Sequence, residues 1–203
     1  MLTLYGNKQS ASCLKVDYVL HILNVPFEYK QLDFQKDLKT EWYLKIHPVG
    51  KVPAIDDNGF VMFESGAIVD YLCEKQKSAL VPHDLKARAL MRQWIAFVDI
   101  QIYPAVGKVA FNRVFAPMMK MPVNEANIEA GLKELDRYLP IIEKQLSTHK
   151  YFAGAEMTLA DVVLLASLAY TDMAKIDLLK YKAISAWRAR MQAQEWYKKV
   201  HTV

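Results

Sequence analysis

The side chains best suited to chemistry lie in two short segments of the first 65 residues. Ser10, Ser12 and Cys13 place two hydroxyl groups and a thiol within four positions, directly after a strand-like segment. Glu64 and Ser65 stand at the start of a helix-like segment, where backbone amides and a hydroxyl can bind a carboxylate. The same residue types also serve as plain helix caps and first-turn acids, so their chemistry alone leaves both roles open.

Composition narrows the class of protein. The chain has 203 residues, of which 53% are hydrophobic and 24% charged, as in an ordinary folded soluble protein. Its five histidines and two cysteines show no metal-ligand spacing, so no metal is expected. The N-terminus lacks the pattern of a secretory signal, and the apolar stretch 162–170 is too short to cross a bilayer. These features favour a cytoplasmic protein without a membrane partner.

The charges are distributed unevenly but not in clusters. Residues 1–78 carry nine lysines and ten acidic residues, whereas residues 79–203 carry 17 basic and 12 acidic residues. A domain that binds nucleic acid usually has a stronger and more clustered basic excess. We therefore expect no nucleic-acid partner.

The first third of the chain alternates between strand and helix signals. Strands are predicted at 2–5, 27–32, 52–55 and 60–63, and the turn signal Asp57-Asn58-Gly59 joins the last two. Helical spacing follows Ser12, returns around 40–46, and begins again at Ser65. The resulting order, βαβαββα, predicts a thioredoxin-like domain over residues 1–78.

From Leu85 onward the strand signals end and helical spacing takes over. Apolar residues from 90 to 98 predict a long helix that Pro104 bends or divides, and those from 128 to 146 repeat every three or four positions. Thr158 and Asp161 predict a capping box in front of a buried helix. The second domain is therefore expected to be all-helical over residues 86–203, with residues 77–85 as the connector.

Taken in order, these segments resemble the cytosolic glutathione S-transferases along most of the chain. The matching segments are Ser10 after the first strand, His47-Pro48-Val49-Gly50-Lys51-Val52-Pro53, Glu64-Ser65-Gly66-Ala67-Ile68, and Thr158 to Asp161 preceded by Tyr151-Phe152-Ala153-Gly154. The position of the serine resembles the phi and theta groups and related bacterial proteins more than the tyrosine-dependent groups.

The resemblance implies a homodimeric detoxifying enzyme that uses glutathione as co-substrate and activates its thiol for attack on electrophilic small molecules. Ser10 would donate a hydrogen bond to the sulfur and favour the thiolate. A free thiol has a pKa of about 8.5, so only a few per cent is ionised near neutral pH. One hydrogen bond to a charged partner contributes roughly 1.5–3 kcal/mol, or about one to two pKa units.

The resemblance also assigns binding roles. Lys39 and Lys51 are expected to bind the glycyl carboxylate, with Lys51 the better candidate. Val52-Pro53 matches the family's cis-proline site, where a cis bond exposes the Val52 backbone to the cysteinyl part of the ligand. Glu64 would pair with the ligand's ammonium group and Ser65 would bind a carboxylate. The electrophile is expected to contact five apolar side chains near the end of the long helix: Tyr103, Phe111, Phe115, Met118 and Met119.

Two alternative functions stay open at this point. Ser10-Ala11-Ser12-Cys13 occupies the position of a thioredoxin Cys-x-x-Cys motif, and a mixed disulfide between Cys13 and glutathione would indicate a thiol oxidoreductase or peroxidase. Ser12 is an alternative catalytic hydroxyl and the better candidate for a plain helix cap. The second alternative is a non-catalytic binding module that keeps the fold without the chemistry.

Overall fold

The computed structural model describes residues 1–201, and within them the chain divides into two compact units. Unit 1 comprises residues 1–81 together with the segment that begins at Gln194, and unit 2 comprises residues 82–193. The last two residues of the predicted second domain, 202 and 203, lie outside the described part.

Among the described residues, unit 1 contains one four-stranded sheet. Its strands are β1 (Leu2–Gly6), β2 (Phe27–Gln31), β3 (Ala54–Asp57) and β4 (Phe60–Phe63). Their order is β2-β1-β3-β4, with β1 parallel to β2 and the other two pairs antiparallel. β3 begins directly after Pro53, whose nitrogen has no hydrogen to donate to a neighbouring strand. Asn58 and Gly59 both have positive φ, 56° and 92°, which suits the tight β3–β4 turn.

Three helices pack against this sheet or connect its strands: α1 (Ala11–Ile22), α2 (Glu41–Ile46) and α3 (Ser65–Lys75). α1 packs against α3, and its residues 13–20 are all buried. The largest buried apolar side chains of the sheet and these helices include Leu4, Leu20, Ile55, Ile68 and Leu72. The order βαβαββα that the sequence predicts is therefore present, with the strand limits within two residues of the predicted ones.

Unit 2 is all-helical in the described residues. Its helices are α4 (Leu85–Phe97), α5 (Tyr103–Ala110), α6 (Ala116–Met118), α7 (Glu125–Thr148), α8 (Leu159–Ser167) and α9 (Lys182–Gln192). π-helical turns at Val98–Ile102 and Phe111–Phe115 join α4, α5 and α6 into one continuous run. Pro104 follows the first of these turns, which is the local irregularity that the proline was expected to produce. α7, in contrast, continues unbroken through Pro140.

The run 85–118 is long and apolar enough, by length and composition, to cross a membrane, with a mean hydropathy of 1.2 in its most apolar window. A core helix of a globular domain has the same composition. Here Met91, Val98, Ile102 and Val109 are buried, since α4 packs against α8 and α5 packs against α7. The run is therefore packed within unit 2 along one side, and 33% of its most apolar window is buried.

The capping box predicted at the start of α8 is present and is part of a larger network. The Thr158 amide donates to Asp161 Oδ2 at 2.9 Å. The Asp161 carboxylate also accepts the Phe152 amide at 2.8 Å and the Trp187 indole N–H at 2.9 Å. Burial raises the pKa of Asp161 in spite of these donors. The carboxylate thus ties α8, α9 and the segment before α8 together.

The remaining helix of the described chain, α10 (Glu195–His201), packs against α1. Tyr18 of α1 contacts the Trp196 ring edge-on at 5.3 Å, and a 2.7 Å hydrogen bond joins Tyr18 Oη to His201 Nε2. The His201 ring stacks on Tyr197 with 4.1 Å between centroids. The sequence assigned this segment to the helical second domain, whereas these aromatic contacts make it part of unit 1.

The α5–α7 contact gives a test of the packing in unit 2. A Cβ atom on Gly131 of α7 would lie 2.8 Å from the Ala105 carbonyl oxygen and 2.8 Å from Val109 Cγ2. Because the carbonyl belongs to the α5 backbone, the helices must move apart. We expect Gly131→Ala to lower the free energy of unfolding by about 1–3 kcal/mol, measured by chemical denaturation.

Gly107 of α5 is the matched control, because a Cβ there meets no atom within 4 Å. Gly107→Ala should leave stability unchanged or raise it by about 0.5–1 kcal/mol through the better helix propensity of alanine. Equal effects of the two substitutions would contradict the close approach of α5 and α7.

Candidate functional site

The three predicted binding segments of unit 1 meet at one end of the sheet. In the strand register Tyr5 pairs with Ala54, and Ala54 pairs with Phe63. Adjacent strands lie about 4.8 Å apart, so the segments that leave or enter these three positions are neighbours. They are the loop from Gly6 to Ser10, the Val52-Pro53 pair before β3, and Glu64-Ser65 after β4.

Ser10 is the N-cap residue of α1. Its backbone is extended, with φ −106° and ψ 121°, and its carbonyl accepts the first helical hydrogen bond from Leu14 at 2.9 Å. Ser10 Oγ accepts the Cys13 amide at 3.4 Å. The sequence favoured Ser12 as the cap, but Ser12 is the second residue of the helix, after Ala11. Ser10 thus combines the cap position with a half-buried hydroxyl group at the positive end of α1.

Cys13 lies one turn into α1 and is 1% exposed. Burial raises the pKa of its thiol to about 11, although hydrogen bonds from the Asn7 backbone and the Ser10 side chain act in the opposite direction. A thiol of this kind is neither ionised near neutral pH nor accessible to a second thiol. These properties do not suit the mixed disulfide that an oxidoreductase would form at this position.

The Val52-Pro53 peptide bond is cis, as the resemblance implied. Val52 lies outside the β3 ladder, which begins at Ala54, and its side chain packs against a small core of Leu32, Leu38 and Tyr43. Tyr43 also donates its hydroxyl hydrogen to the Lys51 carbonyl at 2.7 Å. The segment before β3 is therefore anchored from the α2 side while the Val52 backbone stays outside the sheet pairing.

Glu64 has an unusual backbone conformation for a residue with a side chain, with φ 70° and ψ 108°. It is the N-cap residue of α3, and its carbonyl accepts the Ile68 amide at 3.0 Å. Ser65 is the first residue of α3 and is half-buried. Sparsely populated backbone conformations of this kind are concentrated at functional sites. Here it places an exposed carboxylate and a helix N-terminus side by side.

Charged groups from separate segments surround His47. Burial lowers the pKa of His47, Glu64 acts against this shift, and Lys51 and Lys39 act with it. Lys39 Nζ also donates to the Val49 carbonyl at 3.1 Å, which holds the lysine against the loop before β3. The structure therefore brings Lys39, Lys51 and Glu64 into one electrostatic neighbourhood, with two positive charges and one negative charge.

His47 lies in one of the matching segments, but the sequence indicated no role for it. The imidazole is 2% exposed and lies 4.8 Å from the Phe63 ring, directly before Glu64. Within residues 1–201 its Nδ1 atom has no hydrogen-bond partner. The sequence feature that could have drawn attention to this residue is a histidine directly before a proline in the matching segment. Its place against the Phe63 ring depends on packing between α2 and β4, which the sequence does not show.

Unit 2 holds the five residues predicted to contact the electrophile. Tyr103 begins α5 directly after the first π-helical turn, and the second π-helical turn runs from Phe111 to Phe115. Phe115 packs edge-on against Tyr170 at 5.1 Å. The exposed fractions of the other four side chains are 37% for Tyr103, 41% for Phe111, 62% for Met118 and 42% for Met119. π-helical turns frequently occur at functional sites.

The buried His47 predicts how stability depends on pH. Its pKa is lower in the folded chain than the usual value near 6.5, so the unfolded chain binds more protons between the two values. The contribution of neutral His47 is therefore complete above about pH 6.5 and is lost as the pH falls through the folded-state pKa. Burial lowers the pKa of His201 as well, and it acts in the same direction.

We expect His47 and His201 to lower the free energy of unfolding, measured by urea denaturation, as the pH falls from 7.5 to 5.5, whereas the raised pKa of Asp161 acts in the opposite direction. His47→Asn should reduce this loss of stability, by at most about 1.4 kcal/mol per pH unit, the limit for one proton. His83 is exposed, so His83→Asn serves as the control and should retain the wild-type pH dependence. An unchanged pH dependence in His47→Asn would show that this imidazole is not held neutral by the fold.

Comparison with known proteins agrees with this geometry. The family model for the glutathione S-transferase N-terminal domain matches residues 4–79, and the model for the C-terminal domain matches residues 106–195. Glutathione S-transferase F10 of Arabidopsis thaliana is 32% identical over 210 residues, which cover 98% of this chain and 96% of that protein.

Solved structures are similar over the full length. Glutathione transferase F7 of Populus trichocarpa matches with a TM-score of 0.93 and 29% identity, covering 100% of this chain and 98% of the other. A glutathione S-transferase-I bound with lactoylglutathione matches with a TM-score of 0.89 and 26% identity, covering 99% and 98% of the two chains. The chain therefore belongs to the glutathione S-transferase family, on its phi-like side.

Proposed function

We propose that this protein is a glutathione transferase in which Ser10 stabilises the thiolate of bound glutathione for attack on an electrophilic small molecule. The observation that carries the proposal is the position of Ser10. Its hydroxyl group caps α1 at the end of the sheet where the cis Val52-Pro53 pair and the Glu64-Ser65 helix start also lie. Family membership supports the same conclusion.

The chemistry follows from how the Ser10 hydroxyl is held. Ser10 Oγ accepts a hydrogen bond from the Cys13 amide, and this bond does not use the hydroxyl hydrogen. That hydrogen can therefore be donated to an acceptor stronger than the neutral thiol of Cys13. A bound thiolate is such an acceptor. The thiol proton leaves to solvent, the sulfur keeps the electron pair, and that pair forms a new bond to the electrophilic carbon as its leaving group departs. Ser10 forms no covalent bond at any step.

Unit 1 offers a complementary group to each polar part of glutathione: the ammonium group, the two carboxylates and the cysteinyl backbone. Glu64 pairs with the ammonium group, and the Ser65 amide and hydroxyl bind the adjacent carboxylate at the start of α3. The backbone of Val52 bonds to the cysteinyl residue as an added strand would. Lys51 and Lys39 bind the glycyl carboxylate. The hydrogen bond from Lys39 to the Val49 carbonyl keeps Lys39 beside the loop that carries Lys51, so both lysines are near the same carboxylate.

The remaining assignments rest on the family and on surface properties. The electrophile contacts the apolar residues Tyr103, Phe111, Phe115, Met118 and Met119 of unit 2. β4 is an edge strand that exposes Phe60, Val61 and Phe63 by 51%, 40% and 38%, which supports a homodimer. Cys13 and Cys73 are both free and buried, as suits a reducing cytoplasm.

Ser10→Ala tests the mechanism directly. We expect kcat/KM for conjugation of an aryl halide near pH 7 to fall by about 10- to 100-fold, because a hydrogen bond to a charged partner contributes roughly 1.5–3 kcal/mol. Glutathione binding, measured by calorimetry, should change little, since the carboxylate and backbone contacts are retained. Ser78→Ala is the matched control: Ser78 Oγ also accepts a backbone amide, from Leu80 at 3.2 Å, outside the proposed site.

Three results would contradict this assignment. If Ser12→Ala lowered the rate and Ser10→Ala did not, the activating hydroxyl would be Ser12. If Cys13→Ala abolished activity while Ser10→Ala retained it, a thiol oxidoreductase or peroxidase mechanism would replace conjugation. Failure to bind glutathione at millimolar concentration would instead indicate a non-catalytic binding module.

A further inference from the structure

We propose that Asn7 is a positioning residue for the reaction, which holds the loop that carries Ser10. The inference rests on the proposed function, because it assigns Asn7 a role only through Ser10. Asn7 follows β1 directly and is 6% exposed, so it lies beneath the loop and not at its surface.

Each polar group of Asn7 is engaged in fixing this loop. Its backbone amide donates to Cys13 Sγ at 3.4 Å, and its backbone carbonyl accepts the Ser10 amide at 2.9 Å. Its side-chain oxygen accepts the Gln9 amide at 2.9 Å, and its side-chain nitrogen donates to the Leu32 carbonyl at 2.7 Å. The residue thus joins the loop to α1 on one side and to the end of β2 on the other.

The link to β2 is rigid because Leu32 is itself fixed. The Leu32 amide donates to the Gly6 carbonyl at 2.8 Å, which extends the β1–β2 pairing by one residue. Gly6 is closely surrounded, since a Cβ there would lie 2.8 Å from Tyr29 Oη and 3.2 Å from Cys13 Sγ, so these side chains would have to shift. The loop to Ser10 therefore begins at the closely packed Gly6, and the hydrogen bonds of the next residue, Asn7, fix it a second time.

This bonding pattern selects an asparagine. A carboxamide offers a donor and an acceptor on one short side chain, whereas a carboxylate lacks the donor and an aliphatic residue lacks both. The side-chain oxygen of Asn7 accepts the Gln9 amide and closes an Asx turn, and its side-chain nitrogen donates to the Leu32 carbonyl at the end of β2. Because the strength of a hydrogen bond falls steeply with distance and angle, a loop that drifts weakens the bond from Ser10 to the sulfur.

The role is one of positioning and not of catalysis. The groups that Asn7 offers are all bonded within the protein, and the residue is buried, so it makes no contact with glutathione in this proposal. A purely structural role would lower stability alone. A positioning role must also change the ionisation of the bound thiol.

The experiment measures the thiol pKa of glutathione bound to the enzyme, by ultraviolet absorption of the thiolate, together with the pH profile of kcat. For Asn7→Ala we expect the pKa to rise by about one unit, so that kcat near neutral pH falls roughly tenfold and approaches the wild-type value at high pH. The double variant with Ser10→Ala should show no shift beyond that of Ser10→Ala, since both changes remove the same interaction.

Gln145→Ala is the matched control. Gln145 also uses a side-chain amide to donate to a loop carbonyl, that of Phe152 at 3.0 Å, but in unit 2. It should lower stability without moving the thiol pKa. If Asn7→Ala does not fold, Asn7→Ser keeps a turn acceptor over Gln9, is too short to reach Leu32, and carries the same expectation.

The outcomes separate this inference from the proposed function. If Ser10→Ala raises the thiol pKa and Asn7→Ala lowers only the melting temperature, the positioning role is wrong and the function stands. An equal loss of kcat at every pH in Asn7→Ala would also overturn it. If neither substitution moves the thiol pKa, the proposed function fails together with the inference.

Discussion

The candidate site depends on one constraint, the register that aligns Tyr5, Ala54 and Phe63 across three strands. This register makes neighbours of segments that are far apart in the sequence. β1 and β4 are each followed by a helix, so the N-termini of α1 and α3 lie at the same end of the sheet. A one-residue shift of β3 would turn its side chains to the opposite face and move the cis-proline segment away from both.

The electrostatics of the site arise from backbone amides and lysine side chains that are positive without being buried, together with the exposed carboxylate of Glu64. Helix N-termini favour anions, and Lys39 and Lys51 add formal charge in the same neighbourhood. The Cys13 thiol, one turn along α1, is instead buried and shielded from solvent. There burial dominates, and the pKa of the thiol is raised to about 11. Burial thus keeps the Cys13 thiol neutral, whereas the proposed mechanism places the ligand sulfur at the helix end, where ionisation is favoured.

The sequence predicted the features that depend on neighbouring residues and missed the contacts between residues far apart in the chain. The strands, the start of α3 and the Thr158–Asp161 box follow from short-range patterns, and each is present. The Asn7–Leu32, Asp161–Trp187 and Tyr18–His201 hydrogen bonds join residues 25, 26 and 183 positions apart, and no periodicity reports such pairs. The cis bond was expected only through resemblance, because the residue types alone favour trans. Even the choice between Ser10 and Ser12 as cap depended on where the helix began.

The choice of an alcohol at position 10 follows from the same physics. In the proposed mechanism, the Ser10 hydroxyl group stays protonated at every physiological pH, so it remains a donor to a thiolate bound at the N-terminus of α1. A cysteine at this place would meet the conditions that lower a thiol pKa, and would become an anion that repels the ligand sulfur or a nucleophile that exchanges disulfides. Because Ser10 is neutral and Cys13 is buried, the proposed mechanism places the negative charge on the sulfur of the ligand. The proposed mechanism thus favours conjugating chemistry over redox chemistry on a thioredoxin-like scaffold.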